Sequence, residues 1–419
     1  MSKTAMIKRV GRWAAAGLAM VVGATGLYAP EASAHGEKSQ QAFLRMRTIH
    51  WYDLRWSTDK VKVNDKMTVT GKFHVFSGWP ETVRSPAVAA AFLNIGIPGP
   101  VFTRQESYVG GQFVPRSFNL DLGKDYTFKV VLQARRPGRW HVHTMMNVLA
   151  GGPIIGPGKW VQIEGTMADY KSEVQTLTGR TEDVERIGTA GIYGWSFFWF
   201  LFGCAWIGYW AMKPLFIPRY LAVKEGTAEE ELCSDTDVKV GIGFLCAAIV
   251  IVALSYWSAN ASYPVTIPLQ AGLIGKMEPI PAGAPPVEIG LEQATYRVPG
   301  RSVNIKIRVT NRGINPIQVA EFETAGIRFL NPTVYKDDTN YPPQLLAPEG
   351  LSVDDNSPIL PGHSRIITVT CTDAAWENER LADAIYDPDA RFGGLFFFAD
   401  TSGFRHVVEI GGPLLPRFT

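Results

Sequence analysis

The chain has 419 residues, enough for two or three domains, and its charge is nearly balanced, with 41 lysines and arginines against 39 aspartates and glutamates. No basic block interrupts this balance, which argues against nucleic acid as a partner. The 12 tryptophans and 22 phenylalanines are concentrated in part of the chain, which indicates membrane segments rather than one soluble core.

The N-terminus has the layout of a secretory signal peptide. Residues 1–12 are basic and contain no acid, residues 14–29 contain no charge, and the Ala-Ser-Ala at 32–34 places small residues where signal peptidase reads them. The alternative is an uncleaved anchor helix, but the apolar run is shorter than the roughly 20 residues that a bilayer span needs. We therefore predict that residues 1–34 are removed, so that His35 begins the mature chain with a free amine.

Residues 35–185 are predicted to form a β-sandwich outside the membrane. The stretches 66–76 and 126–132 alternate apolar and polar residues with the period of two that is typical of strands. Turn signals such as Arg-Arg-Pro-Gly-Arg at 135–139 separate these runs, as expected for a sandwich of short strands.

A His-x-His pattern in this domain is the first candidate metal site. His141 and His143 follow Pro137-Gly138 in a predicted strand, so they point to the same side with Cβ atoms roughly 6.5 to 7 Å apart. An isolated pattern of this kind is more often two partly exposed histidines. His35 strengthens it, because a free N-terminal histidine offers its amine and its ring Nδ1 to one ion.

Four nitrogens from His35, His141 and His143 suit Cu(II) best among the common metals. Zinc, which prefers a tetrahedral set, is the alternative metal. The amine binds only when deprotonated, so copper affinity is expected to fall as the pH falls. His50 and His74 lie in the same domain, and the alternation predicts that His74 faces away from the apolar side of its strand, towards solvent.

Two uncharged runs follow, one at 191–212 and one that begins at Val240, and each is long enough to cross a membrane as a helix. The loop between them, 213–239, is basic with an acidic stretch, which favours the cytoplasmic side. We predict two transmembrane helices within 186–261, with no ionisable residue in either span to bind an intramembrane metal. Four tryptophans share a helical stripe that serves either as interfacial belts or as a packing face for another membrane protein: Trp195, Trp199, Trp206 and Trp210.

Residues 262–419 are predicted to form a second external β-sandwich without a metal site. Residues 303–309 alternate strictly, and the proline- and glycine-rich stretch 271–290 is interpreted as a linker. Four cysteines occur in the whole chain, and Cys371 has no cysteine partner in the exported part. This excludes a disulfide framework and disfavours a thiolate metal centre.

Three features together resemble the β subunits of particulate methane monooxygenase and its relatives, which include ammonia monooxygenase. They are "HGEKSQQAFLRMRTIHWYDLRW" from residue 35, "RPGRWHVHTMMNV" from residue 136, and the two spans between external domains. The resemblance extends over essentially the whole chain. It implies a mainly β fold, with two cupredoxin-like β-sandwich domains joined by a transmembrane helical hairpin and facing the periplasm from a bacterial inner or intracytoplasmic membrane.

The resemblance also implies a chemistry. Its copper ligands match His35, His141 and His143, and a second, less constant copper site matches His50 and His74. The family works with two other integral membrane subunits in a trimer of heterotrimers, and it inserts one oxygen atom of O₂ into methane to give methanol. It assigns no catalytic residue to this chain, because the oxygen chemistry has been placed both here and in a partner subunit.

Other functions are compatible with the same residues. The chain is alternatively an ammonia monooxygenase subunit, a membrane-anchored copper-binding or electron-transfer module with no oxygenase activity, or a scaffold whose copper is structural. A cytochrome oxidase copper subunit also combines a helical hairpin with a cupredoxin domain, but it needs paired cysteines that this chain lacks.

Overall fold

The structure is a computed structural model that describes residues 40–176, 179–213, 216–262, 273–283, 285–298, 302–335, 341–379, 381–386 and 389–418. The predicted signal peptide and His35 lie outside these residues. The described residues of Met1–Asp169 and Gly272–Thr419 form one compact unit, and those of Tyr170–Ala271 form a second. The domain boundaries at 185/186 and 261/262 stay predictions.

The first sandwich follows a short helix, α1 (Ala42–Arg47). Its strands are β1 (Ile49–Trp56), β2 (Lys60–Lys62), β3 (Lys66–Val75), β4 (Ala91–Gly96), β5 (Phe102–Val109), β6 (Gln112–Phe113), β7 (Ser117–Asn119), β8 (Lys124–Ala134), β9 (Gly138–Val148) and β10 (Gly152–Glu164). One sheet has the order β1-β3-β8-β5-β6, and the facing sheet contains β7-β4-β9-β10-β2. Trp51 of β1 packs between them, in contact with Phe73 and Phe128 on its own sheet and close to Gly156 on the other.

A 3₁₀ turn at Met167–Asp169 ends the first sandwich, and the helical unit begins with a small ribbon of β11 (Glu173–Gln175) and β12 (Thr181–Asp183). Its helices are α2 (Thr189–Ala211), α3 (Phe216–Lys224), α4 (Glu229–Leu232) and α5 (Asp235–Ser262). Among the described residues, α2 and α5 are long and apolar enough to cross a membrane. Their lengths agree with the two predicted spans.

Helices α2 and α5 lie side by side. The ring of Trp206 on α2 has its centroid 5.1 Å from that of Phe244 on α5, so one tryptophan of the predicted stripe packs inside the hairpin. Helix α5 begins before the uncharged run, at a capping box in which Ser234 and Asp237 bond each other's backbone N–H. Lys213, just after α2, lies 3.1 Å from the Asp237 carboxylate and ties the two helix ends together.

The second sandwich is built from the strands that follow. These are β13 (Leu273–Lys276), β14 (Val287–Val298), β15 (Ser302–Asn311), β16 (Ile317–Thr324), β17 (Ile327–Leu330), β18 (Leu346–Ala347), β19 (Leu351–Val353), β20 (Ser364–Thr372), β21 (Arg391–Asp400), β22 (Arg405–Pro413) and β23 (Leu415–Phe418). Short helical pieces lie at Pro343–Leu345, α6 (Ala375–Asn378) and Leu381–Tyr386. The sheet order is β19-β20-β15-β14-β23 on one side and β18-β17-β16-β21-β22 on the other.

The alternating runs place their apolar residues in these cores. In β3, β8 and β15 the apolar face of each strand is buried, with at most 4% exposure at the residues that follow: Met67, Val69, Phe73, Val75, Tyr126, Phe128, Val130, Leu132, Val303, Ile305, Ile307 and Val309. Burying one face and leaving the other polar is what fixes the register of a sandwich strand. The prediction of a mainly β chain with two sandwiches and two apolar helices is confirmed.

The interpretation of 271–290 as a linker is wrong in part. Strand β13 pairs in parallel with β7 and so extends the sheet of the first sandwich, and Met277 after it is buried. The reason is that β7 is an edge strand whose open N–H and C=O groups accept the apolar Leu-Ile pair of β13. The proline-rich composition concealed this, since it dominates only the later part of the segment.

The two sandwiches pack against each other through the outer face of β21. Phe396 and Phe398 point into the core of the second sandwich, while Phe397 between them contacts Tyr52 of β1 with ring centroids 5.7 Å apart. This explains why β21 is apolar on both faces, as in a strand buried on both sides. The second sandwich therefore covers the β1 side of the first.

Candidate metal centre

His141 and His143 converge on one side of β9. Their ring centroids are 4.1 Å apart in an edge-to-face arrangement, and the residues are only 3% and 4% exposed. The i, i+2 spacing on a strand produces this, since both side chains must leave the sheet on the same face. The alternative of two partly exposed histidines does not describe this pair.

A bulge in the neighbouring strand shapes the space around His143. The pairing of β9 with β10 shifts between Ile155 and Gly158, so that Gly156-Pro157 bulges out of the ladder. The carbonyl oxygen of Gly156 thereby lies 3.0 Å from His143 Nδ1 and accepts its proton. The Nε2 atom of His143 is then the acceptor nitrogen, the form in which a histidine binds a metal.

Gly158 is required because the ring of His143 occupies the place of its side chain. A Cβ atom at Gly158 would lie 2.4 Å from His143 Nδ1, closer than atoms can approach. Gly158 pairs directly with His143 across the ladder, and Trp160 pairs with His141. The Trp160 ring stacks on His141 at 4.8 Å with an angle of 23° between the planes, which fixes the second imidazole as well.

The chain just after the predicted mature N-terminus also reaches β10. The side chain of Gln40 accepts a hydrogen bond from the Ile155 backbone N–H at 3.0 Å and donates one to the Pro153 carbonyl. Ile155 pairs with Met145, two residues beyond His143 on β9. The first described residue of the chain is therefore attached beside the histidine pair.

The ring of His50 lies between the two sandwiches. Its Nδ1 is 2.8 Å from the carboxylate of Glu323 on β16, and its Nε2 is 2.8 Å from the backbone carbonyl of Met46. Both ring nitrogens therefore already have oxygen acceptors. The side chains of His50 and Glu323 are fully buried, so this contact is shielded from water.

His74 pairs directly with His50 across β1 and β3 and is engaged in the same way. Its Nδ1 is 3.1 Å from Asp125, and its Nε2 is 2.5 Å from Glu409 on β22. Burial alone lowers the pKa of His74, but the two carboxylate hydrogen bonds outweigh it and raise that pKa to about 9. The expectation of a solvated His74 is wrong, because the second sandwich covers that face of β3.

The donor set of His141 and His143 fits a copper ion. Two buried imidazoles face each other, and a backbone carbonyl fixes the tautomer of one of them, as is usual for metal-binding histidines. Within the described residues no group of three or more histidine, cysteine, aspartate or glutamate side chains is placed to hold a metal. The third predicted residue, His35, lies outside those residues, so the ligand set of three stays a prediction.

The sequence analysis missed the residues that position this pair. Gly156, Gly158 and Trp160 surround the two rings, and Met145 is a third side chain on the same face of β9. A Gly-Pro-Gly inside a strand is a recognisable signal for a bulge or for close approach of another group. It was available at 156–158 and points to the same place as the His-x-His pattern.

Comparison with known proteins identifies the family. The family model for the B-type subunit protein of monooxygenases matches residues 36–418. The chain is 59% identical over 410 residues, 98% of each chain, to the particulate methane monooxygenase alpha subunit of Methylococcus capsulatus, whose lettering differs from the beta that the resemblance suggested. A solved cupredoxin domain of amoB from Nitrosocaldus yellowstonii matches at 17% identity and a TM-score of 0.25, over 32% of this chain and 98% of that one, a similarity too low to carry an argument. The chain belongs to this B-type family of monooxygenase proteins and is a membrane monooxygenase subunit of the particulate methane monooxygenase type.

Proposed function

We propose that this chain is the copper-binding subunit of a membrane monooxygenase that oxidises methane to methanol with O₂, and that His35, His141 and His143 hold the copper. The observation that carries the proposal is the pair of buried imidazoles on β9, with ring centroids 4.1 Å apart. The name of the Methylococcus relative supports methane as the substrate. A copper ion held there would supply the one-electron redox chemistry that reactions of O₂ require.

The position of Gln40 supports His35 as the third ligand residue. Five residues span at most about 17 Å when extended. Gln40 is attached at Ile155, and the strand distance from there to the level of His143 is roughly 7 Å. His35 can therefore reach the two rings without any change in the part of the chain that the structure describes.

The protein's own contribution at this centre is to hold two rings in place and to keep bulk water away from them. The Gly156 carbonyl holds the proton of His143 at Nδ1, which directs Nε2 towards the ion. Trp160 covers one face of His141. Such fixed neighbours hold the imidazoles in their binding orientation, which lowers the entropy that copper binding must overcome.

A second copper at His50 and His74 is the weaker part of the proposal. Binding there requires that the ion displace hydrogen bonds to Glu323, Met46, Asp125 or Glu409. We expect any such site to bind less tightly than the first. Replacing both histidines by alanine should remove at most one copper per chain and leave the first centre intact.

The orientation and partners are proposed together. Both sandwiches face the periplasm, the segment between α2 and α5 faces the cytoplasm, and two further membrane subunits complete a trimer of heterotrimers. The alpha subunit label of the relative supports the presence of other subunits. A thiol reagent confined to the periplasmic side should leave Cys233, in the segment between the helices, unlabelled; labelling there would refute this topology.

The test of the copper site uses the assembled complex in copper-replete membranes. His141→Ala and His143→Ala should each lower copper per chain and abolish oxidation of methane. His363→Ala is the matched control, because that histidine is exposed on a turn of the second sandwich. Electron paramagnetic resonance should show the loss of nitrogen ligands only in the first two variants.

Two results would contradict the proposal. Full copper with an unchanged nitrogen pattern in the His141 and His143 variants would exclude the pair on β9 as ligands. A mature chain that begins elsewhere than His35, seen by intact mass, would exclude the amine ligand. Oxidation of ammonia in preference to methane would correct the substrate and leave the copper site untouched.

A further inference from the structure

We propose that Met145 and His143 together form a copper(I) binding site at the base of a pocket that opens beside the metal centre, and that copper reaches the centre through it. The proposal rests on the copper function proposed above. Its structural basis is that a thioether and a metal-directed imidazole face the same pocket from adjacent positions on one face of β9.

The pocket is large enough to admit an ion with small ligands still attached. It has a volume of about 550 Å³, and much of its wall is apolar, with Ile95, Ile97, Phe102 and Ile155 among the lining residues. Arg104, a cation in the wall, is held away by stacking on the Phe92 ring at 4.2 Å. An apolar pocket of this kind favours a soft, weakly hydrated ion over a strongly hydrated one.

Met145 is placed to share an ion with His143. A Cβ atom at Gly96 would lie 3.3 Å from His143 Cβ and 3.6 Å from Met145 Sδ, so the missing side chain of Gly96 leaves a space flanked by both residues. Gly96 pairs with His143 across β4 and β9, which fixes this relationship through the ladder. The sulfur of Met145 therefore lies next to the metal-directed side of β9.

The next residue shows what a purely structural methionine looks like in this strand. Met146 points to the other face of β9 and is 0% exposed in the core of the sandwich. Met145 is partly exposed and lines the pocket. The sandwich core accounts for the burial of Met146 and does not account for the placement of Met145.

The chemistry of the two donors assigns the oxidation state. Thioethers are soft ligands that select Cu(I), whereas a set of nitrogens alone favours Cu(II). A thioether also has no proton to lose, so its binding does not depend on pH. A reduced ion bound by Met145 and His143 already shares one ligand with the proposed centre, and His141 is the next ring along the strand.

The test is made on the full-length copper-depleted protein without oxygen. After loading with one Cu(I) per chain, X-ray absorption of the wild-type protein should show sulfur scattering at thioether distance. Met145→Leu should lose that signal and should bind Cu(I) at least about tenfold more weakly in competition with a chromogenic chelator, since even indirect partners of a metal are worth that much. Met146→Leu, the matched control, should behave as the wild type.

A second measurement separates this inference from the function it rests on. Met145→Leu loaded with Cu(II) should keep the nitrogen pattern of the wild type in electron paramagnetic resonance. Absence of sulfur scattering in Cu(I)-loaded wild-type protein, or unchanged Cu(I) affinity in Met145→Leu, would overturn the inference. If that occurs while His141→Ala and His143→Ala still lose copper, the proposed function stands; if those variants retain copper, the function fails as well.

Discussion

The imidazole Nδ1 of His50 and the carboxylate Oε2 of Glu323 lie 2.8 Å apart, although 273 residues separate the two in the chain. The other oxygen of Glu323 accepts the backbone N–H of Gly326 at 2.6 Å. A buried carboxylate with two donors of this kind fixes how β1 of the first sandwich meets β16 of the second. The second sandwich thus supports the domain that holds the metal centre.

Helix α1 adds further contacts of the same kind. The guanidinium of Arg45 donates to the Glu379 carbonyl at 2.7 Å, and that of Arg47 donates to Asp389 at 2.8 Å. The stretch from residue 35 that carries the family resemblance is therefore also the stretch that contacts the second sandwich. Its arginines serve docking, and they need no role in chemistry to explain their presence.

Glu323→Ala should destabilise the protein strongly. The change leaves His50 Nδ1 and the Gly326 N–H buried without their acceptor, which costs about 1 to 3 kcal/mol for each group. The thermal midpoint of the membrane-extracted complex should fall by several degrees, as followed by the loss of soluble complex on heating.

Glu292→Ala provides the control on the same sandwich. The Glu292 carboxylate pairs with Arg308 at 3.0 Å, but the two side chains are 37% and 53% exposed. Exposed pairs contribute about 0 to 1 kcal/mol, so the midpoint should hardly change. An equal effect of the two variants would show that the buried contact between the sandwiches has no special weight.

His74 should make the stability of the copper-free protein depend on pH in the alkaline range. Its pKa is about 9 in the folded protein and about 6.5 in an unfolded chain. Because the folded value is raised, this contribution is fully present below about pH 6.5 and is lost as the pH rises through about 9. The thermal midpoint should therefore fall across that window.

Glu409→Gln tests the cause of that dependence. It removes one of the two carboxylates that hold the His74 proton, so the pKa of His74 should fall and the midpoint should change less between pH 6.5 and 9. Glu288→Gln is the matched control, since Glu288 is 56% exposed in its pair with Arg312. Parallel pH profiles for all three proteins would mean that another group titrates in this range.

Local patterns predicted the strands and the faces of β3, β8 and β15, because alternation is a property of neighbouring residues. The convergence of His141 and His143 followed from the same rule. The burial of His74 did not, since it depends on Glu409, which lies 335 residues away and comes close only when two sandwiches pack. No short-range pattern contains that contact.

Trp160→Ala should weaken copper binding without unfolding the domain. Trp160 is 37% exposed, so its removal leaves little empty core, but His141 loses the ring stacked on it at 4.8 Å. An imidazole with more freedom binds an ion less well, and we expect a loss of roughly tenfold in affinity. Trp160→Phe keeps an aromatic face and should restore most of it; failure of phenylalanine to do so would exclude stacking as the cause.

Gly158→Ala should abolish the metal centre while leaving its ligands in the sequence. A Cβ atom at Gly158 would lie 2.4 Å from His143 Nδ1, so the ring must move away from the Gly156 carbonyl that fixes its tautomer. Gly290→Ala is the matched control, because Gly290 is also a strand glycine and has nothing within 4 Å of the added atom. Metal analysis should show a loss of copper at limiting supply of at least about tenfold in the first variant and none in the second, with both proteins folded. Full copper in Gly158→Ala would mean that the ring position seen here is not the one that binds the ion.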